Sequence, residues 1–130
     1  MDSSEEIKKV CIVEDEPMIQ EIYKIKLEEE GFRVIVANDG EEGFELIKKE
    51  LPDIALVDVS MPKIDGITLI EMLQKDESLL KIPIIVTSNV NDENTLKKAG
   101  KLDVKFYLVK SLFTPKDVVR IVREALESKR

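Results

Sequence analysis

The sequence has no histidine and one cysteine among its 130 residues. The absence of histidine excludes histidine metal ligands, a serine–histidine catalytic pair and phosphorylation of this chain on histidine. The single cysteine, Cys11, excludes an intrachain disulfide. Because Cys11 lies in the apolar run Val10–Val13, we interpret it as a small buried core residue; a reactive thiol is the less favoured alternative.

Long apolar runs, basic clusters and low-complexity tracts are also missing. No stretch approaches the roughly 20 apolar residues that a membrane-spanning helix needs, and the polar N-terminus lacks the apolar segment of a signal peptide. We therefore expect a cytoplasmic protein without membrane insertion. Acidic residues outnumber basic ones 27 to 20, for a net charge of −7. Since the lysines are spread among glutamates, direct binding to nucleic acid is not expected.

The chain alternates between short apolar segments and longer amphipathic segments. The apolar segments predict five buried strands, over Val10–Val13, Phe32–Ala37, Asp53–Asp58, Ile82–Thr87 and Lys105–Val109. The amphipathic segments predict five helices, from Pro17 to a stop at Gly31 and over Glu41–Glu50, Ile67–Lys75, Asn91–Gly100 and Thr114–Lys129. Thr114 is the expected N-cap of the last helix.

Strict alternation of strands and helices predicts parallel strands joined by right-handed crossovers. Strands that are apolar almost throughout predict a sheet covered by helices on both faces. The expected fold class is therefore α/β, a three-layer domain with a five-stranded parallel sheet flanked by five helices. In the flavodoxin-like order 2-1-3-4-5, which we take as the expected order, strands one, three, four and five are contiguous. We expect one domain over residues 1–130, with its core at about residues 8–129 and no room for a second domain.

The second predicted strand leads into Asn38, with nothing ionisable until Asp39, whereas the other four carry ionisable or hydroxyl side chains at their carboxyl ends. These side chains are Glu14–Asp15, Asp58, Thr87–Ser88 and Lys110. Each has an ordinary explanation when taken alone: Asp15 as a loop residue or helix cap, Thr87 as a strand residue exposed at the rim, Lys110 as a solvated lysine. Those explanations do not account for the joint pattern, in which each group stands at the same end of its own strand. In an open parallel sheet, that end is where ligands bind.

This row of side chains has the composition of a phosphoryl-transfer site. Neighbouring carboxylates repel one another, and a hard divalent cation such as Mg²⁺ removes that repulsion. A hydroxyl and an ammonium can both donate to phosphoryl oxygens. A carboxylate can also act as a nucleophile and form an aspartyl phosphate. Asp58 is the best candidate, because it is central in the row.

Four segments occur in an order and spacing typical of one family: "IVEDE", "LVDVSMPKIDG", "IIVTSN" and "FYLVK". The most specific element is D-x-x-M-P-x-x-D-G, from Asp58 to Gly66. From about Lys8 to the final helix, the chain resembles the receiver domain of bacterial two-component response regulators, the CheY-like type, in a stand-alone form. The resemblance implies a flavodoxin-like fold and a phosphoacceptor switch in a phosphorelay.

By this resemblance Asp58 is the phosphoacceptor and the cofactor is Mg²⁺ or Mn²⁺. Asp15 is expected to bind the metal directly, and Glu14 directly or through water. The backbone carbonyl of Ser60 is implied as a further metal ligand. Ser60 and Asn89 occupy the positions that tune the attack of water on the phosphoaspartate.

The same resemblance assigns the switching residues. Thr87 corresponds to the switch hydroxyl, and Lys110 to the lysine that pairs with the phosphoryl group. Tyr107 corresponds to the aromatic residue that turns inward when Thr87 moves; a half-buried strand aromatic is the alternative. Pro62 and Asp65–Gly66 are expected to shape the loop and to begin the next helix, with Asp65 as its cap.

The implied partners are a sensor histidine kinase or a histidine phosphotransfer domain, and an unknown downstream protein that binds the face of helix 4, strand 5 and helix 5. The chain is expected to be a monomer or a weak phosphorylation-dependent dimer, and to catalyse only its own phosphorylation and dephosphorylation. One alternative is a pseudo-receiver that is never phosphorylated. Another is a haloacid-dehalogenase-like phosphatase, which requires an acid two residues after the nucleophile, where this chain has Ser60.

The sequence departs from the family pattern at three places. Lys110 is followed by Ser111 instead of a proline in cis linkage, so we expect a trans peptide and a rearranged loop over "SLFTP". Ser88 stands where alanine is common. The small-residue stretch before the last strand is replaced by "AGKLDVKF", which predicts a different end for helix 4.

Overall fold

The computed structural model describes residues 6–59, 61, 65–88 and 93–128. Its strands are β1 Lys9–Val13, β2 Arg33–Ala37, β3 Ile54–Asp58, β4 Ile84–Ser88 and β5 Phe106–Val109. Its helices are α1 Pro17–Glu29, α2 Gly40–Glu50, α3 Gly66–Gln74, α4 Glu93–Gly100 and α5 Pro115–Glu127. A short turn of 3-10 helix, Lys110–Leu112, connects β5 to the segment before α5.

The strands form one parallel sheet in the order β2-β1-β3-β4-β5, which confirms the predicted topology. Successive side chains of a strand point to opposite faces, so the apolar strands supply two core clusters. On one face, Cys11, Val13 and Val57 pack with residues of α2 and α3. On the other face, Ile12 and Leu56 pack with residues of α1 and α5. Apolar burial on both faces explains why the strands read as nearly continuous apolar runs.

Four strands, β2 to β5, begin one or two residues later than the sequence predicts, and for β2 and β4 the preceding turn gives the reason. The N–H of Phe32 donates to the carbonyl of Leu27 at 3.1 Å, so it closes α1 instead of joining β2. The N–H of Ile82 donates to the carbonyl of Leu79 at 3.1 Å, and Pro83 has no N–H to donate. Periodicity locates the apolar runs, but the first hydrogen bond of each ladder depends on the preceding turn.

Side-chain caps fix the start of three helices. Asp39 accepts from the N–H of Glu42 at 2.8 Å, Asp65 from that of Thr68 at 2.9 Å, and Thr114 from that of Asp117 at 3.1 Å. The predicted caps at Asp65 and Thr114 are therefore confirmed. Of the predicted helix ends, Asn91 and Lys129 lie outside the described residues.

The interior is apolar apart from a few polar groups that end the strands. Cys11 is completely buried, and burial raises the pKa of its thiol to about 12, so it is a core residue and not a reactive thiol. The described helices include none that is both long and apolar enough to cross a bilayer. Among the residues whose burial the structure describes, the buried polar side chains are Glu14, Asp58, Thr87 and Ser88, and all of them stand at the carboxyl end of the sheet.

Candidate functional site

Three carboxylates converge at the carboxyl end of the sheet. Glu14 and Asp15 directly follow β1, and Asp58 is the last residue of the adjacent strand β3. One carboxylate oxygen from each lies within 4.8 Å of the others. Glu14 and Asp58 are each 1% exposed, and so much negative charge in a buried place requires a compensating cation.

Lys110 supplies positive charge from the end of β5. Its Nζ lies 2.5 Å from Oε1 of Glu14, 3.3 Å from Oδ2 of Asp58 and 3.9 Å from Oε1 of Glu16. Its side chain is 6% exposed, so it is not the solvated lysine of the alternative interpretation. Lys110 therefore extends past Asp58 to the acids that follow β1.

The pKa values of this pair reflect competition between burial and charge. Burial raises the pKa of Glu14 to about 7, and the charge of Asp58 acts in the same direction, whereas the hydrogen bond from Lys110 opposes it. Burial by itself would lower the pKa of Lys110, but the hydrogen bond to Glu14 and the charge of Asp58 outweigh that effect and raise it. The acids consequently hold Lys110 in its charged form.

Thr87 stands beside Asp58 on the next strand. The two residues are paired in the register of β3 and β4, and the N–H of Val59 donates to the carbonyl of Thr87 at 3.0 Å. Thr87 is 3% exposed, so it is not the exposed rim residue of the alternative interpretation. Ser88, in the place of the family's alanine, is equally buried. The structure thus brings the predicted acids, hydroxyl and ammonium to one place.

Tyr107 lies on β5, opposite Val86 in the β4–β5 register. Its side chain is partly buried and packs on the cluster beneath α2 and α3. Its hydroxyl is buried and has no hydrogen-bond partner among the described residues. This geometry accords with both interpretations of Tyr107, the switch aromatic and the half-buried strand residue.

The segment after Lys110 differs from the family pattern in the expected way. The peptide bond between Lys110 and Ser111 is trans, which confirms the expectation from the missing proline. The chain then forms the 3-10 turn, closed by a hydrogen bond of 3.4 Å from the N–H of Phe113 to the carbonyl of Lys110. α4 ends at Gly100, the boundary predicted from this chain's own pattern, and the expected difference from helix 4 of the family stays a prediction.

Comparison with known proteins shows which protein family shares this arrangement. The sequence profile of the family described as "Response regulator receiver domain" matches residues 10–123. The chain belongs to this family. Like other receiver domains it has a parallel five-stranded sheet in the CheY-like order, and its acidic cluster stands at the carboxyl end of that sheet.

Individual relatives are similar over most of the chain. The alkaline phosphatase synthesis transcriptional regulatory protein PhoP of Bacillus subtilis is 33% identical over 119 residues, which are 92% of this chain and 48% of PhoP. A CheY-like receiver domain protein of Methanospirillum hungatei has a structure with a TM-score of 0.88 at 25% identity, covering 95% of this chain and 96% of that one. The chain spans about half the length of the curated relatives it matches.

Two predicted site residues of this receiver domain, Ser60 and Asn89, lie outside the described residues, as does Pro62. The proposed metal ligand at the Ser60 carbonyl and the proposed tuning positions at Ser60 and Asn89 therefore stay predictions.

Two residues near the site were not singled out from the sequence as parts of it. The side-chain amide of Gln20 donates to the carbonyl of Glu14 and, at 2.7 Å, to Oδ1 of Asn38. Gly66, interpreted from the sequence as a turn residue, lies directly against the backbone of Asp58. A glutamine within a helix and a glycine at the start of a helix are both common, so the sequence alone does not identify Gln20 or Gly66 as residues near the site.

The donor set of the acidic cluster fits a hard divalent cation. All of its ligand atoms are carboxylate oxygens, which Mg²⁺ prefers. Glu14 and Asp58 together carry more negative charge than the ammonium of Lys110 balances, and Asp15 adds a third, more exposed carboxylate. Glu14, Asp15 and Asp58 are therefore the residues that would hold the cation.

Proposed function

We propose that this receiver domain is a phosphoacceptor switch in which Asp58 receives a phosphoryl group from a histidine kinase or a histidine phosphotransfer protein. The observation that carries the proposal is the position of Asp58 between Glu14–Asp15 on one side and Thr87 on the other, with Lys110 Nζ 3.3 Å from its carboxylate. The participating unit extends over about residues 8–129. A cytoplasmic location is part of the same proposal.

In the proposed step, a carboxylate oxygen of Asp58 attacks phosphorus in line with the leaving group. A new P–O bond forms, the P–N bond of the donor phosphohistidine breaks, and the electron pair leaves with the imidazole. Mg²⁺ bound to Asp15, Asp58 and Glu14 would neutralise charge on the phosphoryl oxygens. Lys110, which already contacts Asp58, donates a hydrogen bond to one of these oxygens. Thr87 donates a hydrogen bond to another.

The described residues also support a change of state after this step. A buried hydroxyl without a hydrogen bond costs about 1–3 kcal/mol. The described part of the chain offers the Tyr107 hydroxyl no partner, so the orientation of this side chain is not strongly favoured. If Thr87 moves toward the phosphoryl group, the balance between conformations of the neighbouring β4–β5 surface can shift. The proposed output is a changed contact of α4, β5 and α5 with a downstream protein, without catalysis of any reaction beyond the domain's own phosphorylation and dephosphorylation.

Mass spectrometry after incubation with acetyl phosphate and Mg²⁺ tests the proposal. Wild type should gain the mass of one phosphoryl group, and Asp58→Asn should not. Asp53→Asn is the matched control, because Asp53 lies just before the opposite end of β3 and accepts from the N–H of Lys9 at 2.7 Å. This control should be modified like wild type.

A quenched time course catches a phosphoaspartate that hydrolyses quickly. Unmodified wild type at every time point, or modification of Asp58→Asn equal to that of wild type, would contradict the proposal. Unmodified protein that still binds a partner through the α4–β5–α5 face would instead identify an interaction module that works without phosphorylation.

A further inference from the structure

Gly66 is the first residue of α3, and it makes an unusually close backbone contact with the end of β3. A Cβ atom at Gly66 would lie 2.3 Å from the carbonyl oxygen of Asp58 and 2.6 Å from the Cα of Val59. Real Cβ atoms essentially never approach other atoms within 3.0 Å. The hydrogen atoms of glycine are thus what allow α3 to begin in contact with the backbone of Asp58.

The same stretch of backbone is also held by β4. Asp58 is paired with Thr87, and the N–H of Val59 donates to the carbonyl of Thr87 at 3.0 Å. The contact with Gly66 and the β4 ladder together leave the Asp58 backbone little freedom to shift. The direction of the Asp58 carboxylate depends on that backbone, because its short side chain has few torsions of its own.

We propose that Gly66 is a positioning residue for Asp58: its lack of a side chain lets the start of α3 hold the Asp58–Val59 backbone in the orientation that phosphorylation requires. The inference rests on the proposed function of Asp58. Substitution by alanine must separate α3 from β3 by several tenths of an ångström, since both contacting groups are backbone and no rotamer change relieves the overlap. A misplacement of about 1 Å can slow a reaction by about 100-fold.

The chain contains a matched control, Gly43. It is likewise a buried glycine within a helix, and a Cβ there would also be crowded, at 2.9 Å from Cγ1 of Val13 and 3.3 Å from Cδ2 of Leu69. These neighbours are side-chain atoms, which can move without displacing the backbone of Asp58. Gly43→Ala should therefore perturb the core without changing the phosphoacceptor.

The experiment compares wild type, Gly66→Ala and Gly43→Ala, with phosphorylation by acetyl phosphate and Mg²⁺ expressed per folded molecule. Circular dichroism and urea titration give the folded fraction. Gly66→Ala should react at least about tenfold more slowly than wild type, and Gly43→Ala at the wild-type rate. NMR should show displaced Asp58 carbonyl and Val59 amide resonances in Gly66→Ala only. A purely structural role of Gly66 would lower stability and leave the rate per folded molecule unchanged.

The outcomes separate this inference from the proposed function. If wild type is not phosphorylated, the proposed function fails, and the Asp58 and Val59 resonances alone decide whether Gly66 positions that backbone. If wild type reacts and Gly66→Ala matches Gly43→Ala in rate and in these resonances, the inference is overturned.

A second pair of variants covers the case in which Gly66→Ala does not fold. Asp65→Ala removes the cap that orders the same end of α3, and Asp39→Ala removes the same kind of cap from α2. Asp65→Ala should slow phosphorylation more than Asp39→Ala and should displace the Val59 amide resonance. Equal effects of the two substitutions would contradict the inference.

Discussion

At the scale of single residues, Lys110 has the largest effect on the charge balance of the site. Its ammonium contacts Glu14 and Asp58, both of which are almost completely buried. Such a group stabilises the fold only while its partners remain charged and paired, and its removal leaves buried charges uncompensated. The residue that we propose to stabilise the phosphoryl group is therefore also the counter-ion of the unphosphorylated site.

Lys110→Met should lower the free energy of unfolding by about 3 kcal/mol in the absence of divalent metal. The reason is the loss of the only described ammonium within 4.0 Å of either buried carboxylate. The pKa of Glu14 is about 7 with Lys110 present, and loss of the Lys110 hydrogen bond raises it further, so urea titration well above pH 7 measures the effect with Glu14 ionised.

Lys105→Met is the matched control, because Lys105 is an exposed lysine just before β5. It should change stability by less than about 0.5 kcal/mol. Equal destabilisation by the two substitutions would mean that Lys110 contributes no more than a surface lysine.

At the scale of elements, α5 covers one face of the sheet and depends on its first turn. Thr114 and Asp117 form a reciprocal capping box, with bonds of 3.1 Å and 2.9 Å, and Pro115 occupies the first helical position. The helix contributes five buried side chains, those of Val118, Val119, Ile121, Val122 and Ala125. Order at its first turn therefore supports the whole α1–α5 side of the core.

Thr114→Ala should destabilise the domain by about 1 kcal/mol, because it leaves the N–H of Asp117 without its capping partner. The change in the urea midpoint measures this loss. Thr68→Ala is the control: it makes the same substitution at an exposed position in the first turn of α3, where the backbone of Thr68 and not its side chain makes the cap bond. A Thr68→Ala protein as unstable as Thr114→Ala would show that the capping box contributes nothing.

The helices and strands, and their order along the chain, were predictable because each element has a local signal in the sequence. Apolar runs mark strands, Pro17 and Thr114 mark helix starts, and a polar residue after each apolar run marks the carboxyl end of the sheet. The flavodoxin-like strand order, in which β1 lies beside β3, then brings Glu14, Asp15 and Asp58 together.

What could not be predicted depends on distances between segments far apart in the chain. The sequence gives no sign that Lys110 contacts Glu14, 96 residues away, as well as Asp58. Nor does it show that Gly66 lies against Asp58, since glycine after aspartate before a helix is explained equally well by a turn. Side-chain reach and backbone approach are consequences of packing, and local patterns do not encode them.

At the scale of the whole molecule, negative charge is in excess along the chain and is also concentrated at one cluster of carboxylates. The chain carries a net charge of −7, and three carboxylates share one edge of the sheet. Salt screens the general repulsion between surface charges, but it affects buried pairs much less. The effects of surface repulsion and of the carboxylate cluster on stability can therefore be distinguished by comparing a divalent cation that binds at the cluster with a simple salt.

Magnesium should stabilise the domain beyond its effect on ionic strength. A ligand that binds only the folded state at 100 times its dissociation constant adds about 2.7 kcal/mol, and only the folded chain brings the oxygens of Glu14, Asp15 and Asp58 within 4.8 Å of one another. Urea titrations of wild type in saturating MgCl₂ and in NaCl of equal ionic strength should differ by about this amount. In Asp15→Asn, which replaces the solvent-facing carboxylate by a neutral amide, most of the difference should disappear. Equal stability of wild type in the two salts, or an unchanged response of Asp15→Asn, would exclude a metal site that depends on this carboxylate.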